Sequence, residues 1–457
     1  MAQRSSEAPF PPGPRIGLKD ALSGLGSPQH TLDLLVESAR EYGPIVGIKA
    51  LGGTGFLLDH PDYIRYVLAQ NQRNYAKSKN YEALELVIGN GLLTNEGDHW
   101  QQQRRLMQPP FHSQRIQQYG ELICHEAEAT AADWETRFVQ TDGICDLSRE
   151  MTELTLRVVS KALFGASVQT EMDKLIRAQN FLNGYVDSRM GGVNIPHSIP
   201  TPKNRRYHKS LQDLDEVVWG IIRERRNNPD SGEDLLSMLL DARDEQTGEA
   251  MNERQLRDEV ATILLAGNET TANALLWTWY LLHKHPEVEH EFHRELDQVL
   301  AGREPSLKDL KSLPYTEMIF QESMRLFPPA WAISRKPVAD DEIASYPIPA
   351  GSTVLICPYV THRNPEYWDD SDSFKPERFA HGTPNDYSYF PFGGGPRKCL
   401  GNGFAMMEGQ LILATLAQHF SIRILNERDI KLNPQVTLRP RNSMKAAITR
   451  RQEQCDY

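Results

Sequence analysis

The sequence predicts a mainly α-helical protein with a minor sheet component. Helical periodicity runs from about Asp98 to Lys284 with few interruptions, whereas strand-like alternation is confined to short stretches. A third observation is a proline-free helical pattern from Asn252 to Pro286, about 33 residues or roughly 50 Å at 1.5 Å per residue. The chain has 457 residues, 39% of them hydrophobic, and shows no linker, fixed repeat or low-complexity block. One large domain over residues 1–457 is therefore expected.

Residues 9–14, Pro-Phe-Pro-Pro-Gly-Pro, read as a stiff extended lead-in. An amphipathic helix is expected from Thr31 to Tyr42, followed by a hairpin over Ile45–Leu58 that carries Gly52, Gly53 and Gly55. The Gly-Gly-Thr-Gly run lacks the full glycine fingerprint and the Lys-Ser/Thr tail of a nucleotide loop. Loops are expected near 190–205 and 227–233. Asn252 and Gln255 have the spacing of a capping box at the head of the long helix, whose middle, Val260–Ala266, is apolar on nearly all sides. Two helices follow over 286–327, then strands and turns from Trp331 to Pro358, with Tyr346–Gly351 as a turn cluster. A glycine loop at 393–395 leads into a last helix, about Leu400–His419, and closing strands.

The formal net charge of −11, from 61 acidic and 50 basic residues, argues against nucleic acid as the main partner. Cys124, Cys145, Cys357, Cys399 and Cys455 form an odd, scattered set with no CxxC pair, unlike a disulfide framework or zinc site. No apolar run approaches the roughly 20 residues that span a bilayer. Residues Met1–Pro9 lack a signal-peptide core. A soluble, reducing, cytoplasmic setting is expected. His290 and His293 are one residue short of the zinc HExxH spacing and read as a solvated helix surface.

The chemistry concentrates around Cys399. A cysteine just ahead of a helix lies at the positive end of the macrodipole, and flanking glycines expose N–H groups towards its sulfur. Such a thiolate can ligate heme iron. The run Phe392-Gly-Gly-Gly-Pro-Arg397-Lys-Cys399-Leu-Gly401 matches F-x-x-G-x-R-x-C-x-G at each fixed position. It resembles the heme-binding signature of the cytochromes P450. Other segments resemble the same family in the same order. Trp100 and Arg104 look like its WxxxR element, Ala266-Gly-Asn-Glu269-Thr270-Thr like its oxygen-activation motif, Glu322-Ser-Met-Arg325 like ExxR, and Phe374-Lys-Pro-Glu-Arg378-Phe like PERF.

The resemblance implies a triangular α-helical prism with a long central helix and a small β-rich lobe. It implies heme b (iron protoporphyrin IX) contacted by Cys399, Trp100, Arg104, Arg335, Arg397, Phe392, Gly393 and Ala266, with Cys399 as the metal ligand. Thr270 and Glu269 would be catalytic, the first organising or donating the proton that splits dioxygen and the second relaying protons through water. The implied reaction inserts one oxygen atom into a hydrophobic substrate such as a fatty acid or terpenoid. No reductase domain follows the last strands, so NAD(P)H electrons are expected through a separate ferredoxin or flavodoxin, docking near Arg115 and Lys398. WxxxR and FKPERF look like the fatty-acid-hydroxylase and microsomal branch, here in a bacterial form without an anchor. The alternatives are a peroxide-driven hydroxylase of the same fold, a peroxide-rearranging enzyme, or a non-catalytic heme sensor or carrier.

Overall fold

In the computed structural model the described residues are 10–14, 28–50, 53–111, 116–190, 195–228, 234–243, 248–384 and 386–451. Met1–Pro9, Gly52, Arg115 and Cys455 therefore lie outside them, as do parts of the two expected loops. The lead-in at 10–14 has no regular structure, and Gly47 N–H donates to Pro12 O at 2.8 Å.

Helix α1 (Pro28–Tyr42) begins three residues earlier than expected, with proline in its first turn, where a missing N–H costs nothing. Strands β1 (Ile45–Ala50) and β2 (Gly53–Leu58) form the expected antiparallel pair. After α2 (Pro61–Arg65), the short β3 (Tyr75–Lys77) leads to α3 (Asn80–Ile88) and α4 (Gly97–Met107). Then come α5 (Gly120–Trp134), β4 (Ile144–Asp146), α6 (Leu147–Phe164), α7 (Met172–Met190), α8 (Pro202–Asn227) and α9 (Leu235–Asp241). Gly165, at φ +57°, ends α6 with a left-handed cap.

The long helix is α10 (Glu253–Lys284), 32 residues. Asn252 accepts the Gln255 N–H at 3.0 Å, but the reciprocal half of the capping box is not made. The Gln255 amide instead meets His99 on α4 at 3.4 Å. Val260, Ala261 and Leu264 are fully buried, and α10 packs against α6 as it crosses the interior. Helices α11 (Pro286–Leu300) and α12 (Pro314–Leu326) follow as expected.

Strands β5 (Ile333–Pro337), β6 (Asp341–Ile343), β7 (Tyr346–Ile348) and β8 (Thr353–Ile356) come next. Tyr346–Ile348 is thus paired strand, not turn. The chain reverses one step earlier, where Ala344 and Ser345 take positive φ, and Gly351 (φ +79°) makes the second bend. The chain then runs through α13 (Pro358–Thr361), α14 (Asn402–His419), β9 (Phe420–Ile424), β10 (Leu432–Pro434), β11 (Leu438–Pro440) and β12 (Lys445–Arg450).

The principal sheet has the order β1-β2-β8-β5-β3, with β2 and β8 parallel and the other neighbours antiparallel. Smaller sheets join β4-β12-β9, β10-β11 and β6-β7. The helical core and the sheet core are separate apolar clusters. No helix among the described residues is long and apolar enough to cross a membrane.

Candidate heme site

The cysteine loop is shaped by a backbone that only glycine tolerates. Gly395 has φ +63°, and a Cβ there would lie 1.9 Å from the Leu68 carbonyl oxygen. Gly393 is also left-handed, at φ +70°. Cys399 N–H closes the loop on Phe392 O at 2.9 Å, three residues before α14 starts. The sulfur is enclosed by the fold yet retains accessible surface, so it faces an internal space. Burial pushes the Cys399 thiol above its ordinary value, with Gly401 N–H, Arg104 and Lys398 opposing that rise incompletely. The sequence argument from the helix dipole expected a thiolate. Desolvation opposes the thiolate that the dipole favours, and a bound cation would stabilise it.

Ala266 behaves in the same way. It lies on α10 between the fully buried Leu264 and Asn268, two residues to either side, and is itself exposed. Thr270 Oγ1 donates back to Ala266 O at 2.7 Å. Gly267 lets α10 pass α6 closely, since a Cβ there would come within 3.2 Å of Val159.

Cations gather on one side. The Arg397 guanidinium lies 4.4 Å from the Trp100 ring centroid and pairs with Glu96, while its Nε and Nη1 are buried without partners. Arg335, on β5, is buried and bonds only weakly, to Ser334 O at 3.0 Å and to the Tyr81 hydroxyl at 3.5 Å. Lys77, which the sequence reading did not single out, donates to Asn95 O at 2.6 Å and to Leu92 O at 3.3 Å. Burial, then Arg397 and Arg335, lower its pKa to about 7, against the pull of Glu96 and Glu259. Glu96 also accepts the Lys77 backbone N–H at 2.7 Å. Three mutually repelling cations and two orphaned guanidinium nitrogens fit a buried dianion, and the two heme propionates are one. Arg104, expected beside them, donates to Lys398 O at 3.0 Å and so braces the cysteine loop.

Beneath the loop, Glu322 holds Arg325 through two bonds, 2.7 and 2.8 Å, and accepts Arg378 Nε at 3.2 Å. Arg325 also donates to the carbonyls of His362, Ser371 and Ser373 at 2.7, 2.6 and 2.9 Å. Glu322 and Arg325 are fully buried. Every donor in the fork is used, which fixes the meander between α13 and the cysteine loop.

Glu269 is engaged directly. It accepts Thr437 Oγ1 at 2.5 Å, Gln179 Nε2 at 3.2 Å and Asn183 Nδ2. Neither Gln179 nor Asn183 carries a sequence signal, because their role depends on how α7 crosses α10. His293 is half-buried rather than solvated, and burial lowers its pKa to about 4. No group of three or more His, Cys, Asp or Glu able to hold a metal ion occurs among the described residues.

The family model of cytochrome P450 matches residues 9–446. The chain is 35% identical over 403 residues to cyclooctatin synthase of Streptomyces melanosporofaciens, covering 87% of each chain. It is 34% identical over 387 residues to cyclooctat-9-en-7-ol 5-monooxygenase of the same organism, covering 84% of this chain and 83% of that one. To pentalenene oxygenase of Streptomyces avermitilis it is 32% identical over 439 residues, covering 94% and 95%. With the cysteine loop, the charged fork beneath it and the cationic cradle beside it, these matches make the chain a member of the cytochrome P450 family, a heme-containing monooxygenase.

Proposed function

We propose that this chain oxygenates a cyclic terpenoid, with NAD(P)H electrons delivered by a separate ferredoxin or flavodoxin. The observations that carry the heme assignment are the accessible surface that Cys399 and Ala266 each retain and the Lys77–Arg335–Arg397 cluster. The terpenoid class rests on the names of the Streptomyces relatives, which cover most of the chain. The surroundings suit an apolar guest, since Leu84, Leu86, Leu92, Phe181 and Leu265 are only partly buried against the helical core.

When bound, heme supplies the iron centre at which dioxygen is activated. Cys399 is the thiolate ligand, and Phe392 and Gly393 shape the loop that presents it. Arg397, Arg335 and Lys77 hold the propionates, with Trp100 stacked beneath Arg397. Thr270 has committed its proton to Ala266 O, which leaves its oxygen as an acceptor. It therefore organises an incoming proton rather than supplying one. Glu269 is the group that restores protons to that position.

The electron carrier docks on the face where Lys398 is exposed, above its contact with Arg104. The test is the carbon monoxide spectrum of the reduced protein, followed by incubation with pentalenene and a surrogate ferredoxin pair. A thiolate-type Soret band and a product heavier by one oxygen atom support the reading. A histidine-type band would remove the ligand assignment, and turnover of fatty acids but no cyclic terpene would remove the substrate class.

A further inference from the structure

Helix α7 carries Asn180, Asn183, Gly184 and Asp187 three and four residues apart, and therefore on one face. Asn183 reaches Glu269 on α10, and Asn180 accepts Arg439 Nη1 from β11 at 3.3 Å. This face thus looks onto α10 and the β10–β11 hairpin. Between the two asparagines and Asp187, Gly184 is half-buried in mid-helix, and a Cβ built there would meet nothing within 4 Å. Glycine weakens a helix interior, and no close neighbour demands it at this position. What it provides is room beside α7.

Asp187 closes the stripe. It is partly buried, and no described residue donates a hydrogen bond to it. Arg439 and then Lys203 are the cations that act on its carboxylate, and neither comes close enough to pair with it. Lys203 donates instead to Ser188 Oγ at 2.6 Å, and Arg439 to Asn180 and Gln435. The hairpin that carries Arg439 is firmly held. Trp331 Nε1 donates to Gln435 O at 2.8 Å, Trp277 Nε1 to Leu438 O at 3.0 Å, and Leu438 N–H to Pro329 O at 2.9 Å. An acceptor on α7 and a donor on a rigid support therefore flank the room beside Gly184. A hydroxyl both gives and takes a hydrogen bond, and suits such a pair. A carboxylate would be repelled by Asp187, an amine by Arg439 and Lys203, and a bare hydrocarbon would cover Asp187 without giving it a partner.

We propose that Asp187 and Arg439 bind a hydroxyl already present on the terpenoid guest, so that this chain prefers an alcohol to the parent hydrocarbon. The proposal rests on the reading of the substrate as a cyclic terpenoid. The hydroxyl donates to Asp187 and accepts from Arg439, which fixes one end of an otherwise apolar guest. A site of this kind rejects the analogue that lacks the hydroxyl, because its own polar groups are then covered and unpaired. The reaction that supplies the substrate is accordingly one that adds water or oxygen to the cyclic hydrocarbon.

The test titrates the ferric holoenzyme with cedrol and with cedrane, the same cyclic skeleton without the hydroxyl, and reads each dissociation constant from displacement of 4-phenylimidazole. Wild type should hold cedrol on the order of tenfold more tightly than cedrane, or better. Asp187→Leu and Arg439→Met should each lose most of that preference through weaker cedrol binding, with cedrane held as before or more tightly. Gly184→Leu should weaken both guests several-fold without lowering the thermal midpoint, since leucine favours the helix and its Cβ meets no neighbour. Equal hold on the two guests in wild type, or an unchanged preference in Asp187→Leu, would overturn the hydroxyl site and leave the terpenoid reading standing. Undiminished binding in Gly184→Leu would show that the room beside α7 is no part of the pocket, and would overturn the site as well. Failure of both cedrol and cedrane to displace the probe would sink the terpenoid reading and this proposal with it.

Discussion

Lys77 stands directly opposite Arg335 in the antiparallel pairing of β3 with β5, two cations in register on neighbouring strands. Like charges so placed repel, and Arg397 adds a third positive group that lowers the Lys77 pKa further. A protein keeps such a cluster only where an anion belongs. Lys77→Met should therefore weaken the hold on the heme propionates. A hydrogen bond to a charged group contributes about 1.5–3 kcal/mol, so heme should transfer to apomyoglobin on the order of tenfold faster or more. Lys49→Met, at a lysine that lies over the Phe10 ring, is the control. Equal transfer rates for both variants would remove Lys77 from the cradle.

Thr270 makes a different demand, because its hydroxyl bonds within its own helix. Thr270→Ala should leave heme content and guest binding unchanged, since the bond to Ala266 O supports no other element. The loss should be in the fate of electrons, with most of those consumed recovered as peroxide. Thr270→Ser should restore product to near the wild-type yield. A tightly coupled alanine variant would show that the hydroxyl takes no part in directing protons.

The Glu322–Arg325 pair is a structural matter. Both are fully buried, and Arg378 leans on the same carboxylate. Glu322→Gln would leave the charge of Arg325 uncompensated in the interior, which typically costs about 3–5 kcal/mol. The expected result is little folded, heme-loaded protein and a much lower thermal midpoint in whatever is recovered. Arg378→Lys, at the partly exposed end of the fork, should cost less than half as much. Equal effects would mean that the fork does not act through its buried member.

These residues differ in how visible they were in the linear chain. The cysteine loop, the Glu322–Arg325 pair and α10 are local patterns, with glycines at positive φ, an i, i+3 spacing and a capped run without proline. Local patterns survive folding, so they could be read directly. Lys77 and Glu96 joined the cationic cradle only through strand register and a loop crossing. Gln179 and Asn183 met Glu269 only through the packing of α7 against α10. The helix dipole at Cys399 can be inferred from order along the chain, whereas the burial that raises its thiol pKa depends on the whole fold. Tyr346–Ile348 read as a turn because two prolines flank Ile348, yet proline is tolerated on the edge of a two-stranded sheet.

A last consequence concerns Glu259, fully buried on α10 and seven residues before Ala266. Burial raises its pKa from the ordinary 4.5 to about 8, and Asp258 adds to the rise. The Leu92 N–H, which it accepts at 3.0 Å, and Lys77 pull the other way without cancelling it. Its other oxygen has no protein partner. Between about pH 4.5 and 8 the unfolded chain has lost this proton while the folded protein keeps it. Stability from this residue is thus full below pH 4.5 and declines as pH rises to about 8. Glu259→Gln retains an acceptor for Leu92 N–H and cannot ionise. Urea midpoints of the two holoproteins should therefore be closest near pH 5 and diverge towards pH 8, with the glutamine form the more stable. Taking the difference between them cancels titrating groups that do not interact with Glu259, such as Asp59, whose pKa burial raises to about 6. A difference that stays constant over this range would mean that Glu259 is already ionised in the fold, paired more strongly with Lys77 than its burial allows.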